Sequence, residues 1–261
     1  MLVDIHCHLD HEYFRGKLDK VIANAKKAGV KYILTSGVNK ESNREILKIS
    51  EKYDIVKPSF GLYPIDALKL EKEAVALPRD TVPTDVDEEI KFMLKNKEKA
   101  FAIGEIGLDY ALVSDKKEEQ KEIFEKMLNL AEKIKKPVII HSRKAEADSL
   151  EILESSRMKK VVMHCFTPKI KLVKKAYDLG YLMSIPPVIT RLQHFQNVVR
   201  EIPLTHLLTE TDAPYLSPYK DRRNEPAFVA ETIKEIAKIK NITPEETEKS
   251  IFANFQKMFL V

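Results

Sequence analysis

The sequence predicts an α/β protein closed into a (β/α)8 barrel of the TIM type. Three observations carry this reading. Short apolar runs rich in Val, Ile and Leu alternate with charged amphipathic stretches along the whole chain. About eight such pairs can be marked out. No Gly-rich phosphate loop appears of the kind that opens a doubly wound sheet. Alternating βα units argue for parallel strands with helices packed outside. A length of 261 residues suits one barrel, which commonly runs to about 250 residues. The expected organisation is therefore a single domain over residues 1–261.

The elements follow in order. "LVDIHCH" at the start reads as the first strand, and 18–28 as a helix closed by Gly29. "YILTS" (32–36) is the second strand, followed by a helix over 40–53. The remaining strands are "IVKPSFGL" (55–62), "AFAIGEIGL" (100–108), "PVIIHS" (137–142), "VVMHCF" (161–166), "YLMSI" (181–185) and "HLLTETD" (206–212). Helical periodicity fills 85–96, 116–135, 145–156, 169–179, 193–201 and 226–240. A last helix covers 245–259, with "TPEE" (243–246) supplying its N-cap and a first-turn Pro. Residues 65–84, with Pro78 and Pro83, form the longest irregular stretch and are expected to cap one rim.

Composition narrows the function classes. The formal charge of +4 is small for this length and does not announce a nucleic-acid binder. No charged-then-apolar leader opens the chain, and no apolar run approaches the roughly 20 residues needed to span a membrane. Two cysteines, Cys7 and Cys165, cannot frame a disulfide scaffold and read as small core residues in a reduced, cytoplasmic protein.

Polar residues collect where the predicted strands end. His6 and His8 close the first, Glu105 lies near the end of "FAIGEIGL", and His141 closes "PVIIH". His164 closes "VVMH", and Asp212 follows "LLTET". Barrel active sites form at this C-terminal rim. Residues i and i+2 of a strand share a face, so His6 and His8 can both enter the mouth while Cys7 turns toward the helices. Asp4 lies one step deeper on the same face, placed to orient a ligand imidazole. Taken singly, Glu105 reads as a salt-bridge partner and Asp212 as a turn cap. Asp10 and Asp109 read as loop-fixing acceptors. Six metal-competent side chains from five strands read together as a metal centre.

Those residues carry a resemblance. "DIHCHLD" (4–10), "GEIGLDY" (104–110), "IHSRKAEADSL" (140–150), "HCF" (164–166), "ETDAPYL" (210–216) and "RNEP" (223–226) occur in the order of the motifs of the TatD family. Over essentially its whole length the chain is similar to these metal-dependent deoxyribonucleases of the amidohydrolase superfamily. The resemblance implies that His6 and His8 bind one ion, Glu105 bridges two, His141 and His164 bind the second, and Asp212 closes the first site. It also implies a hydrolase cleaving phosphodiester bonds, with two divalent ions per chain (Mg, Zn or Mn) and DNA as substrate. No membrane association and no obligate protein partner are expected. Three departures from the family pattern stand out. Tyr63 in "GLYP" replaces a His, "TPK" follows "HCF", and "MSIPPVIT" (183–190) lacks the usual Gly and Phe-Lys.

On elementary chemistry, two ions can activate a water and polarise a phosphoryl oxygen, and Asp212 is the natural proton acceptor. Four histidines favour Zn, Mn, Ni or Fe by softness, whereas the family is described as Mg-dependent. Phosphate recognition calls for cations near the mouth. Arg143, Arg222 and Arg223 are the substrate-binding candidates, among other post-strand cations such as Lys144, Arg191 and Lys220. The sequence also admits a hydrolase of an ester, lactone or amide on the same centre, such as a D-aminoacyl-tRNA deacylase. A barrel retained as a binding module fits less well, because the ligand set is intact.

Overall fold

In a parallel sheet covered by helices both strand faces are buried, so the strands read as apolar runs. The computed structural model, which describes residues 1–70 and 81–261, bears this out. Eight parallel strands follow one another in chain order around the sheet. They are β1 (Leu2–Cys7), β2 (Val30–Ser36), β3 (Val56–Phe60), β4 (Ala102–Asp109), β5 (Val138–Arg143), β6 (Val161–Met163), β7 (Leu182–Ile185) and β8 (Leu207–Thr209). The first and last strands meet through the chain just beyond them. The Asp212 N–H donates to the His6 carbonyl at 2.8 Å, and the Thr209 hydroxyl donates to the Val3 carbonyl at 2.6 Å. The barrel is thereby nearly closed, as the alternation predicts.

The surrounding helices are α1 (Leu18–Ala28), α2 (Lys40–Lys52), a short α3 (Pro64–Ala67), α4 (Val86–Lys95) and α5 (Lys117–Ile134). Then come α6 (Glu146–Ser155), α7 (Ile170–Asp178), α8 (Gln193–Glu201), α9 (Val229–Lys240) and α10 (Pro244–Phe259). Each long helix buries one stripe; α1 turns Val21, Ile22 and Ala25 inward. Their ends use the expected chemistry. Gly29 takes the left-handed conformation that closes α1, and Asn39 caps α2 by accepting from the Glu41 and Ser42 N–H groups. Thr243 and Glu246 form a reciprocal capping box ahead of Pro244.

Boundaries differ from the sequence reading in informative ways. Residues 226–228 form a separate 3-10 turn before α9, because "RNEP" is spent on fixing a loop. Strands β1, β6 and β8 stop earlier than their apolar runs suggest. His8, His164 and Asp212 therefore stand on the turns just past the strands, with Asp212 at a left-handed φ of 55°. Of the irregular stretch 65–84, residues 71–80 lie outside the described residues. Its ends do flank the barrel mouth. The buried Asp66 accepts from Asn39 Nδ2 at 3.1 Å and from the Val82 N–H at 2.7 Å, and Val82 borders the central cavity.

Candidate metal centre

The six strand-end residues converge at the C-terminal mouth. Glu105, only 4% exposed, is the hub. Its Oε2 lies 3.6 Å from His6 Nε2 and 3.7 Å from His8 Nε2, and its Oε1 lies 2.7 Å from His141 Nδ1 and 4.0 Å from His164 Nε2. Asp212 Oδ1 closes the first group, 3.6 Å from His6 Nε2 and 3.4 Å from His8 Nε2. The triplets His6–His8–Glu105, Glu105–His141–His164 and His6–His164–Asp212 each bring their ligand atoms within 4.8 Å of one another.

Glycines permit this approach. A Cβ on Gly107, at φ 142°, would sit 2.0 Å from the His141 carbonyl oxygen, and one on Gly61 would sit 2.2 Å from the Glu105 nitrogen. "GEIGLDY" thus spends its second Gly on letting β4 pass close beside β5.

The far nitrogen of each imidazole sets what the near one offers. His8 Nδ1 lies 3.1 Å from the Ser36 carbonyl, which can only accept, so Nδ1 carries the proton and Nε2 presents a lone pair. His164 Nδ1 donates to Glu210 Oε2 at 2.7 Å, leaving Nε2 as the lone pair. His141 is bracketed by two carboxylates, with Nε2 3.1 Å from Asp109 Oδ2 and Nδ1 2.7 Å from Glu105 Oε1, so that with an ion on the Glu105 side its one proton belongs on Nε2. His6 Nδ1 meets the Ser36 hydroxyl at 3.0 Å, and its buried Nε2 has no hydrogen-bond partner among the described residues. Four imidazole nitrogens aimed at two carboxylates call for positive charge between them, whether protons or cations. That donor set fits divalent cations.

The field of the site points the same way. Burial alone would lower the His164 pKa, but Glu210, Asp212 and Glu105 outweigh it and raise it to about 10. Burial would raise the Glu105 carboxyl, yet the His141 hydrogen bond and the charges of His141, His6 and His164 hold it well below its ordinary range. His6, deepest and crowded by other imidazoles, is pushed well below its usual value by burial and then by His164.

Several residues hold the ligands. Asp4, expected to orient an imidazole, does not touch one. Its carboxylate accepts from the His6 backbone N–H at 3.3 Å and from the Thr211 N–H and hydroxyl at 2.8 and 2.5 Å. It ties β1 to the turn bearing Asp212, because a residue so deep reaches backbone rather than rings. Glu210 is the functional residue that the sequence reading left without a role. Fully buried, it also accepts from the Ser184 hydroxyl at 2.6 Å and the Cys165 N–H at 3.0 Å. Its signal lay in "ETD", two residues before Asp212. Ser36, at the end of β2, obeys the same strand-end rule.

Neither cysteine joins the donor groups around Glu105, although Cys165 lies with His164 and Glu210 in a further group of potential ligands. Cys7 is buried with its thiol against the Leu34 carbonyl at 3.6 Å. Cys165 lies 3.0 Å from Glu210 Oε1, and burial followed by the Glu210 charge pushes its thiol well up, so it stays protonated. Asp10 accepts from the Ser42 hydroxyl at 2.6 Å, in keeping with a loop-fixing role.

The centre opens into a cavity of about 1020 Å³. Arg143 lines it, with Nε and Nη2 donating to Asp109 Oδ2 at 2.9 and 2.8 Å. Arg222 and Arg223 do not line it among the described residues. Arg222 instead stacks over the Tyr219 ring at 4.4 Å and lies 3.7 Å from Asp221. Asn224 and Glu225 in the same loop clamp backbone and helix: Asn224 Nδ2 donates to the Thr211 carbonyl at 2.7 Å, and Asn24 Nδ2 donates to Glu225 at 3.0 Å. The clustered cations of 219–226 therefore sit on a structural loop. Among the described residues, the cations that do reach the cavity besides Arg143 are Arg15, Arg44 and Lys48, on the first βα turn and α2. Nothing in their local sequence marks them, since only the tertiary fold carries α2 to the mouth.

A family model for TatD related DNases matches residues 3–260. The chain belongs to the TatD family. It is 34% identical over 263 residues to human deoxyribonuclease TATDN3, covering 99% of this chain and 94% of that protein. It is 32% identical over 267 residues to YabD of Bacillus subtilis, named an uncharacterized metal-dependent hydrolase, with both chains covered at 100%. Among solved structures, YjjV, a TatD homologue from Escherichia coli, superposes with a TM-score of 0.87 at 25% identity, covering 100% of this chain and 98% of that one. As a TatD member with this donor set, the chain is a metal-dependent hydrolase. No helix among the described residues is long and apolar enough to cross a membrane.

Proposed function

We propose that this TatD chain is a DNase that cleaves phosphodiester bonds at a centre of two divalent ions, with residues 1–261 working as one barrel unit. The observation that carries the reading is the division of Glu105. One carboxylate oxygen faces His6 and His8, and the other faces His141 and His164. A carboxylate whose two oxygens each face a separate pair of imidazoles, with no backbone or cationic donor on either among the described residues, is suited to bridge two ions. His6, His8, Asp212 and Glu105 Oε2 would hold one ion, and His141, His164 and Glu105 Oε1 the other. The nitrogen-rich set suits Zn or Mn, while Mg would lean on the carboxylates and water. Divalent ions bound here supply Lewis acidity and charge compensation at the reacting phosphorus.

The chain's own residues supply the rest. Asp212 reaches the mouth with its side chain 16% exposed, so its carboxylate can take the proton of an attacking water. Arg143, fixed by Asp109, presents a guanidinium to a phosphate oxygen. The cavity exceeds what a drug-sized molecule requires, leaving room for nucleotides flanking the scissile bond. Turnover of a short oligonucleotide by metal-defined protein, beside a panel of simple esters, tests the reading. Oligonucleotide cleavage lost in Glu105→Gln is the expected result. Ester hydrolysis with negligible nuclease activity would move the assignment to an ester hydrolase on the same centre.

A further inference from the structure

Tyr63, which departs from the family pattern, stands on the cavity wall beside His141, with the two ring centroids 5.0 Å apart. Its hydroxyl donates to Asp109 Oδ2 at 2.5 Å and lies 3.5 Å from His141 Nε2. Asp109 is fully buried and cannot swing. Its Oδ1 accepts the Ala111 and Leu112 N–H groups at 3.0 and 3.1 Å. Its Oδ2 accepts from Tyr63, Arg143 and His141 together.

We propose that Tyr63 and Asp109 are positioning residues that select the His141 tautomer and so govern affinity for the ion on the Glu105 Oε1 side alone. This rests on the two-ion reading above. Both ring nitrogens face carboxylates, Nε2 at 3.1 Å from Asp109 and Nδ1 at 2.7 Å from Glu105; an ion on the Glu105 side would take the Nδ1 lone pair, and the one remaining proton then belongs on Nε2, where Asp109 accepts it and holds the ligating tautomer. Donors from Tyr63, Arg143 and His141 converge on Asp109 Oδ2 and two backbone N–H groups on its Oδ1, so among the described residues every contact of this carboxylate uses it as an acceptor. Tyr63 supplies one of the donors that hold that oxygen in place, and its ring closes the side of the imidazole. The control is selective because the other pair is held differently. His6 and His8 both lean on Ser36, and neither hydrogen-bonds to Tyr63 or Asp109 among the described residues. The same Asp109 oxygen aims Arg143, so tautomer selection and phosphate orientation are joined at one atom.

The test is a titration of chelator-stripped full-length protein with Mn²⁺, following bound ions per chain and their dissociation constants. Wild type should show two ions. Tyr63→Phe keeps the ring and removes the donor; it should weaken one ion by about 10–100-fold and leave the other unchanged. Asp109→Asn should weaken the same ion at least as much, because an amide can donate to Nε2 and force the proton onto Nδ1. Ser36→Ala should instead shift the ion held by His6 and His8. In Tyr63→Phe, kcat lost at low Mn²⁺ should return at high Mn²⁺. Wild-type dissociation constants for both ions in Tyr63→Phe would overturn the proposal, and should Asp109→Asn fail to fold, Tyr63→Phe decides alone. A wild-type chain binding one ion would refute the two-ion reading. The positioning role would then stand if Tyr63→Phe weakened that ion and fall if it did not.

Discussion

Replacing Glu105 by Gln separates a bridging carboxylate from an ordinary buried one. Gln keeps the shape and removes the charge between two groups of imidazoles. With the metal-free protein as reference, a ligand present at 100 times its dissociation constant stabilises the fold by about 2.7 kcal/mol, so two ions contribute about 5.4 kcal/mol. For a chain of this size each kcal/mol moves Tm by about 2–4 °C, which gives a rise of about 10–20 °C on loading the wild type. Gln offers one neutral carbonyl oxygen and cannot hold two cations together, so at least half of that rise should vanish. The metal-free variant should also melt lower. The Glu105 pKa is depressed in the fold, so its charge stabilises the native state at neutral pH, and with no ion bound a proton on His141 Nδ1, 2.7 Å away, makes a charged hydrogen bond worth about 1.5–3 kcal/mol. The assay is thermal melting with chelator and with Mn²⁺, paired with elemental analysis of bound ions. Two ions retained and an undiminished Mn²⁺-induced rise in Glu105→Gln would refute the bridging role.

Other expectations follow from the same geometry. Asp212→Asn should lower kcat by at least about a thousandfold while the fold persists; near-normal kcat would remove Asp212 from the chemistry. Arg143→Ala and Arg15→Ala should each lower kcat/KM for an oligonucleotide by about 1–3 kcal/mol, whereas Arg222→Ala, stacked on Tyr219, should leave it unchanged; the reverse order would return the phosphate clamp to the 219–226 loop. Gly107→Ala puts a methyl 2.0 Å from the His141 carbonyl, so it should lower Tm by several degrees and weaken metal binding together, and a Tm within a degree of wild type would contradict the close approach of β4 and β5.

What could be read from the chain followed strict periodicities. Parallel barrel strands are apolar on both faces, so "PVIIHS" and "VVMHCF" were visible without any partner. Chemistry placed at strand ends made His141 and His164 visible with them. Helix limits set by a cap, such as Asn39 or Thr243, were also local. Where the reading fell short, the cause was long-range. Asp4 was assigned an imidazole because alternation places it beneath His6, but whether it meets a ring or a backbone depends on Thr211, 207 positions away. Arg222 and Arg223 looked like a phosphate clamp because sequence shows charge and not direction. Glu210 was hidden in plain view, since its partner His164 lies 46 residues earlier.

Charge at the mouth explains why substrate recognition is less legible than the metal centre. Beyond Glu105 and Asp212, the cavity wall carries Arg15, Arg44, Lys48 and Arg143 against Asp10, Glu12, Glu41 and Glu45. Among the described residues, four cations face four carboxylates. Arg44 is bound to the buried Glu89 at 2.6 Å, Arg143 to the buried Asp109, and Lys48 lies 3.2 Å from Glu45. Such a wall exerts little net attraction on a polyanion at a distance, and few counterions would be released when a strand settles on it. On the proposed nuclease reading, the described part of this wall offers little long-range capture of DNA, the usual device of nucleic-acid binders. Binding energy would then come from short-range contacts with the reacting phosphate, at bound ions and at guanidinium groups already oriented by buried acids. On that reading the site would hold a phosphodiester by its reacting group, which fits a small formal charge of +4 as well as the cluster of potential metal ligands.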